Sequence, residues 1–363
     1  MTQTWPVAVI GGGIAGAAAV LTLAQHGVAP LWLAPARSDQ DQIGESLAPA
    51  ANRPLADLGV ADLLNRSRHR RSNATYSAWG GERLVERNAI NQLEGAGWVV
   101  DRPVFEHDLR ERAARFAEPL AAVLTSARRE SECWRLELEP GGVIKTDYLI
   151  DASGRSAVVG RQVASLKRTD QQVAAFAFLD HVDDSVEPTK ATLIEAVRDG
   201  WWYAALLPDG RLVVSWFTDP DFLPRMLTRN LAAWRSKIAE TTHIRRWIED
   251  AGFEISAPPA LASAGTTWLE PCAGAGWAAA GDAAAAFDPL SSHGMTTALW
   301  SGRAAAIAIV KEIAGETGQL DAYASTVAGG IGQFLDQRAR FYGAEWRFVG
   351  AAYWDRRQVE TPG

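Results

Sequence analysis

The first 26 residues constrain this chain more than any other stretch. Val7-Ala8-Val9-Ile10 is an apolar run of the kind a buried parallel strand makes, and it leads straight into Gly11-Gly12-Gly13-Ile14-Ala15-Gly16. An alanine-rich helical pattern follows to about His26. Strand, G-x-G-x-x-G and helix in that order make a dinucleotide-binding turn. Gly11 permits the tight turn, Gly13 places no side chain before a pyrophosphate, and Gly16 lets helix and strand pack closely. The pyrophosphate then meets the free N–H groups at the start of the helix, those of Ile14 and Ala15 among them. The plainer alternative is a glycine-rich strand–helix turn in an unrelated α/β domain.

The totals bound what such a turn can belong to. At 363 residues the chain holds one large domain or two intimate ones. A net charge of −7 argues against a nucleic-acid partner. The two cysteines, Cys133 and Cys272, lie far apart, which argues against a disulfide framework or a cysteine metal site and suits a reducing, cytoplasmic compartment. No metal is expected. The first strand starts too early to leave room for a signal peptide. The most apolar late segment, Thr297 to Val310, is broken by Arg303 and too short to span a bilayer, so no stable membrane insertion is expected.

Along the chain, Ala29 to Leu33 reads as a second parallel strand. Dinucleotide folds usually end this strand with an acid that binds the adenosine ribose. Here the position holds Ala34, followed by Pro35, with Arg37 and Asp39 just beyond as substitutes. Gly44-Glu45-Ser46-Leu47-Ala48-Pro49 precedes a helical pattern ending near Gly59; Ser46 is a candidate cap for it, and Glu45 is either a site carboxylate or a solvated one. Arg66, Arg68, Arg70 and Arg71 form a basic cluster, either a surface loop or a docking face for an acidic partner or a nicotinamide phosphate.

Asp101-Arg102 opens a helix with Phe105, Leu109, Ala113 and Phe116 on its apolar side. Val143 to Ile150 is a strand ending in Asp151-Ala152-Ser153-Gly154-Arg155, which places a carboxylate at the edge where open α/β sheets bind ligands.

From about Gln172 the pattern turns to short alternating strands joined by tight turns, Pro208-Asp209-Gly210 among them, and predicts an inserted antiparallel sheet. Trp201 and Tyr203 point to one face of a strand and Trp202 to the other. They line a pocket or pack a core. Leu223 to Ala251 reads as helix, with Leu231, Trp234, Ile238, Ile244 and Trp247 as its stripe. Gly281-Asp282 and Phe287-Asp288-Pro289-Leu290-Ser291-Ser292-His293-Gly294-Met295 then introduce a long alanine-rich helix, whose first turn offers N–H groups to an anionic edge.

Four motifs therefore occur in order: Gly11-x-Gly13-x-x-Gly16, Asp101-Arg102, Asp151-x-x-Gly154, and Gly281-Asp282 with Asp288-Pro289. Together they resemble the flavin-dependent aromatic hydroxylase and halogenase superfamily. The resemblance implies FAD as cofactor, with its pyrophosphate on the first motif. It implies Asp282 at the ribityl or pyrophosphate region, Arg102 near the ribityl chain, Pro289 beside the reactive edge of the isoalloxazine, and the Gly294-Met295 backbone facing N1 and O2. Gly44-Glu45-Ser46-x-x-Pro49 is similar to the halogenase-type branch, which carries a lysine shortly afterwards in a segment like Asn-Ala-Ser-Tyr-Lys. Here that segment reads Asn73-Ala74-Thr75-Tyr76-Ser77, so Ser77 stands where the lysine would be. Ser291 takes the place of a glutamate of tryptophan halogenases, and Tyr203 to Pro208 replaces their Trp-x-Trp-x-Ile-Pro. Halogenation thus lacks the ammonium that holds hypohalous acid.

The resemblance then implies hydroxylation of an electron-rich aromatic ring through a flavin C4a-hydroperoxide. His293, with Pro289 and Ser292 beside it, is the candidate catalytic group; the alternative is a histidine that packs or caps the helix start. Some lysine-less members of the branch act in tryptophylquinone biogenesis, which implies a protein-bound tryptophan as one substrate; a small aromatic molecule is the other. Electrons come from NAD(P)H or a separate flavin reductase. A reductase or dehydrogenase without oxygen insertion is the competing activity, and a flavin-binding chaperone the non-enzymatic one. The fold expected is α/β with an α+β insert. Residues 1–60, 98–171 and 262–313 make a discontinuous Rossmann-like FAD domain, 61–97 and 172–261 a substrate or partner domain, and 314–363 a C-terminal helical segment.

Overall fold

The apolar run before the glycines is a strand, and the computed structural model builds a sheet around it. It describes residues 4–35, 43–65, 68–72, 74–88 and 96–358. In chain order the principal elements begin with β1 (Thr4–Ile10), α1 (Ile14–Gln25), β2 (Leu31–Leu33), β3 (Ala74–Ala78), β4 (Val85–Asn88) and α2 (Arg102–Ala114). Next come β5 (Gly142–Asp151), β6 (Val173–His181), β7 (Ala191–Val197), β8 (Gly200–Leu206) and β9 (Leu212–Thr218). Then follow α3 (Leu231–Ala239), α4 (His243–Asp250), β10 (Trp277–Ala279), α5 (Gly294–Ile313), α6 (Gln319–Gly343) and α7 (Ala352–Gln358). Two compact units result. Met1–Arg66, Arg102–Thr169 and Thr266–Gln333 form the first; Ser67–Asp101, Asp170–Gly265 and Phe334–Gly363 form the second.

In the first unit β1 pairs in parallel with β5 on one side and β2 on the other. β10 continues the parallel order beyond β5, and Pro119–Leu120 beyond β2. A hairpin of Val123–Glu130 and Cys133–Glu139 adds to β5 antiparallel. Parallel strands covered on both faces need unbroken apolar runs, which is what Val7 to Ile10 supplies. The register sets Ile10, Asp151 and Ala279 side by side, so three strand ends and the loops after them share one edge.

α1 is buried at every position from Ile14 to Leu23, which its alanines allow. It packs on α5 with almost no side chain between them. A Cβ built on Gly302 would lie 2.2 Å from the carbonyl oxygen of Ala15.

The Asp151 carboxylate is turned into the protein rather than toward a ligand, a correction to the sequence reading. It is fully buried, and accepts hydrogen bonds from Ser153 N (3.1 Å), Ser153 Oγ (2.5 Å), Val159 N (2.8 Å) and Gly160 N (2.8 Å). A buried carboxylate with four donors is satisfied, and its work is to fasten the loop after β5.

The second unit is built on an eight-stranded sheet in the order Phe253–Glu254, β6, β9, β8, β7, β3, β4, with Ala260–Ser263 added at β6. β3 runs parallel to β7 and the hairpins are antiparallel. One face packs under α3 and α4 through Leu193, Trp202, Trp216, Trp234, Ile238 and Ile248. Trp202 stacks on Trp216 at 5.9 Å and tilts against Trp234 at 5.1 Å. The alternation placing Trp202 opposite to Trp201 and Tyr203 holds.

Three local expectations fail. The helix read over Leu223 to Ala251 is interrupted: α4 starts afresh where the Glu195 carboxylate, from β7, accepts from Thr242 N, His243 N and Ile244 N at 2.7 to 2.9 Å. Its core stripe uses Ile248, while Leu231 and Trp247 are only half-buried. Ser46 sits in a two-residue strand, Ser46–Leu47, and does not cap the following Asn52–Asp57 helix. Phe116 falls beyond α2 and is exposed.

The helix contact at Gly302 carries a direct expectation. Gly302→Ala forces α1 and α5 apart and costs about 1–3 kcal/mol. Urea unfolding of the purified variant reads this as a lower midpoint with an unchanged slope.

Candidate active site

The residues expected to bind FAD or to act in catalysis all fall in the first unit. Gly11 has φ +119°, and a Cβ there would lie 2.1 Å from the Ala152 carbonyl oxygen. A Cβ on Gly16 would lie 2.0 Å from the Gly11 carbonyl oxygen. Gly13 differs: nothing lies within 4 Å of its Cβ position, so the space before it is open. Gly13 also precedes α1, whose first turn, with Ile14 and Ala15, has no side-chain cap and no acidic residue. The positive end of a twelve-residue helix is left to an outside anion.

The other motifs converge on this loop. A Cβ on Gly281 would meet the Ala15 methyl at 2.8 Å, and Gly281 N donates to Ser301 Oγ of α5 at 2.8 Å. Asp282 follows, half-exposed, with Arg155 at 3.6 Å. Arg155 belongs to the Asp-x-x-Gly string, but nothing in the sequence announces its pairing with Asp282.

Arg102 opens α2 with its Nε on Glu106 Oε1 at 2.7 Å and its Nη1 on the Ile43 carbonyl. Burial pulls its guanidinium below the usual arginine range, while Asp282 and Glu45 pull the other way. Glu45 is therefore a buried carboxylate close to a half-buried cation, not a solvated one. Ser46 beside it is half-buried.

The last motif forms the approach to α5. Asp288 is buried; its carboxylate accepts from Leu290 N at 3.0 Å, and its own N–H donates to Thr266 Oγ1 at 3.1 Å. These bonds fix the turn carrying Pro289, which is half-buried. Ser292 takes a left-handed φ of +53°, unusual without glycine. His293 follows at the N-cap with its ring exposed. Gly294 and Met295 start a twenty-residue helix with no side-chain cap and no acid in its first turn. Two long helices thus begin without a cap, at motifs expected to serve one cofactor.

No sequence-expected contact for the adenosine ribose is settled by Arg37 and Asp39, which lie outside the described residues, as do Arg66 and Asn73. Arg70, expected on a surface loop or docking face, is instead half-buried in the short strand His69–Arg71, with Nη2 on the Leu206 carbonyl.

In the second unit, Ser77 can be placed by register. It pairs with Ile194 of β7, which pairs with Tyr203 of β8, then Ser215 of β9 and Phe176 of β6. These five share one sheet face, opposite to the tryptophan core. Tyr203 is the one partly exposed position of β8, and Ser77, Ile194 and Phe176 are partly exposed as well. Trp201, on the same face, is buried and stacks on Phe217 at 4.0 Å. Of the late aromatics, Tyr342 and Trp354 are fully buried around Trp79, whereas Trp346 is exposed. A cleft of about 1430 Å³ opens on the other, helix-covered face, lined by Tyr76, Leu193, Trp247 and Phe348, and holds none of the expected site residues.

Among the described residues no cluster of metal-binding side chains occurs, and no helix is long and apolar enough to cross a membrane. No protein-family model matches the chain. It is 28% identical over 374 aligned positions to a protein of Marinomonas mediterranea assigned as an FAD-dependent oxidoreductase, LodB, covering 98% of both chains. It is 27% identical over 310 positions to the 3-demethoxyubiquinol 3-hydroxylase of Escherichia coli, covering 81% of this chain and 76% of that one. Among solved structures, the peptidyl tryptophan dihydroxylase QhpG, essential for tryptophylquinone cofactor biogenesis, superposes with a TM-score of 0.81 at 22% identity, over 99% of this chain and 80% of that one. The myxobacterial chondrochloren halogenase CndH superposes with a TM-score of 0.87 at 22% identity, over 99% of this chain and 87% of that one.

The open space at Gly13 fits the pyrophosphate of FAD. Gly13→Asp would set a carboxylate against it at close range. The variant is expected to purify folded by circular dichroism but colourless; stoichiometric yellow flavin in it would refute the placement.

Proposed function

We propose that the chain, an FAD-dependent oxidoreductase, is a monooxygenase of the aromatic hydroxylase and halogenase superfamily and hydroxylates an electron-rich aromatic ring. We further propose that the ring is the indole of a tryptophan in a partner protein, during tryptophylquinone formation. The observation that carries the choice of hydroxylation over halogenation is Ser77. Its register row, with Ile194, Tyr203, Ser215 and Phe176, contains no ammonium. The peptidyl substrate is favoured by the likeness to a peptidyl tryptophan dihydroxylase over almost the whole chain. A small-molecule substrate is the second reading, favoured by the likeness to a ubiquinol-precursor hydroxylase.

When bound and reduced, FAD supplies the electrons that activate O₂. The chain's own residues do the rest. Gly13 and the amides of Ile14 and Ala15 receive the pyrophosphate, with Gly11 and Gly16 holding the loop close to Ala152 and α1. Arg102, set between Glu45, Glu106 and Asp282, steadies the ribityl region; its burial keeps it in one place, as the short Nε contact to Glu106 requires. Gly294 and Met295 offer backbone N–H groups at the start of α5 to the electron-rich pyrimidine edge of the ring. Pro289 limits access beside it.

His293 Nδ1 or Nε2 takes a proton from, or returns one to, the substrate as oxygen is inserted. An imidazole titrates near neutral pH and suits both directions. Ser292 holds the backbone turn that presents it. Electrons arrive from NAD(P)H or from a separate flavin reductase.

Two measurements test this. With ¹⁸O₂, the hydroxylated partner tryptophan is expected to gain labelled oxygen, whereas a reductase or dehydrogenase gives product without label. His293→Ala is expected to keep FAD and slow hydroxylation by roughly 10²–10⁴-fold; a wild-type rate would remove His293 from the chemistry.

A further inference from the structure

The second strand ends without the acid that dinucleotide folds place there for the adenosine ribose. β2 ends at Leu33, and the next residue, Ala34, has only a buried methyl group. The position is nevertheless filled, from another element. Arg110 of α2 reaches across so that Nη2 donates to the Ala34 carbonyl at 2.6 Å and Nη1 to the Pro35 carbonyl at 3.3 Å. Its guanidinium lies over the Trp32 ring, 5.6 Å from the centroid. Trp32 is itself tied to the phosphate loop, its indole N–H donating to the Gly11 carbonyl at 3.0 Å.

The glycine loop locates the guanidinium closely. A Cβ built on Gly12 would lie 2.3 Å from Arg110 Nη1 and 2.9 Å from the Ala34 methyl. Arg110 therefore touches the phosphate loop at its second glycine, at the end of β2. That corner, between loop and second strand, is where a dinucleotide fold receives the adenosine ribose.

The donor inventory of Arg110 points to the same use. A guanidinium has five N–H groups. Two are spent on the Ala34 and Pro35 carbonyls, and among the described residues no other partner for Arg110 occurs. The side chain is half-buried and held in a fixed fork by these two backbone carbonyls. Ribose hydroxyl oxygens and the adenine N3 are acceptors of matching reach. Where a carboxylate would accept from the ribose hydroxyls, an arginine donates to their oxygens.

α2 adds a geometric reason. Arg102, Glu106 and Arg110 follow one another at intervals of four and line one side of the helix. Eight residues place the α-carbons of the two arginines about 12 Å apart along the axis. Arg102 stands beside Asp282 and Glu45, and Arg110 stands beside Gly12 and Ala34. One helix face thus reaches two separate places along an extended dinucleotide, with the Glu106 carboxylate between the cations and bonded to the first.

We propose that Arg110 binds the adenosine ribose of FAD, taking the role that a carboxylate at the end of the second strand usually has. The inference rests on FAD binding alone and is independent of the reaction catalysed. It also makes Arg110 the residue through which the chain distinguishes FAD from FMN, since FMN has no adenosine for it to meet.

The test is a flavin-fluorescence titration of apoprotein with FAD and with FMN, for the wild type and Arg110→Met. Methionine keeps an unbranched stem over Trp32 and removes the donors. Losing a charge-assisted contact is expected to raise the FAD Kd roughly 10- to 100-fold. The FMN Kd is expected to stay within about twofold, so the preference for FAD falls by the same factor. Melting of the apoprotein is measured alongside. An unchanged FAD Kd overturns the proposal. So does an equal loss for FAD and FMN with a lowered apoprotein melting point, which makes Arg110 a strut for the loop and not a contact. Failure of hydroxylation in any of these proteins bears on the proposed reaction and leaves this result standing.

Discussion

How closely the backbone packs at Ala15 and Gly16 decides the layout of the first unit. Gly302 brings α5 to the Ala15 carbonyl oxygen, Gly281 brings the turn before Asp282 to the Ala15 methyl group, and Gly16 brings the start of α1 onto the Gly11 carbonyl. None of these approaches leaves room for a Cβ. Much of α1 and α5 is alanine, so cohesion comes from dense packing of small groups and not from large side chains. Such a joint has little slack, and that is its use. Ala15 lies one residue into α1, whereas Gly302 lies eight residues into α5. The two uncapped helix starts are thereby held about 12 Å apart along α5, one at a phosphate loop and the other at the turn of Pro289 and His293. A dinucleotide cofactor that spans them needs that separation fixed.

Charge is arranged around the same frame with some economy. Asp151 and Asp288 are buried carboxylates, but their oxygens are spent on backbone N–H groups, and they hold loops. Glu45, Glu106 and Asp282 instead stand around the half-buried Arg102. A cation taken out of water keeps its charge only with such partners. The two groups look alike in the sequence, an acid after an apolar run or beside a glycine, and only the direction of the side chain separates a strut from a site.

That difference explains what was legible beforehand. Glycine spacing, the apolar runs and the alternation around Trp201 to Tyr203 are local signals, and β1, α1, α5 and the core face of β8 follow from them. Signals that depend on remote partners were not legible. Glu195 starts a fresh helix by accepting three N–H groups some 47 to 49 residues away. The apolar stripe from Leu231 to Trp247 runs on across that break, and reads as one helix. Arg155 and Arg110 carry no motif; they matter because the fold brings them to Asp282 and Gly12. An alanine where an acid is usual was the one hint, and it said that something was missing without saying what replaced it.

The partly exposed row on the second unit's sheet has a chemical character of its own. Ser77, Ile194, Tyr203, Ser215 and Phe176 are neutral, and the row leaves two aromatic rings and aliphatic surface accessible. A lysine in place of Ser77 would add a cation whose desolvation must be offset by an anion or a polar reagent held beside it. A hydroxyl makes no such demand. A neutral ring such as indole needs contact area and an edge or a face to pack on, which Tyr203 and Phe176 supply, and a single acceptor for its N–H. Exchanging an ammonium for a hydroxyl at one position of β3 therefore changes more than the loss of a catalytic group. It also removes one cation from the row, while the half-buried Arg70 guanidinium stays within electrostatic reach of Tyr203.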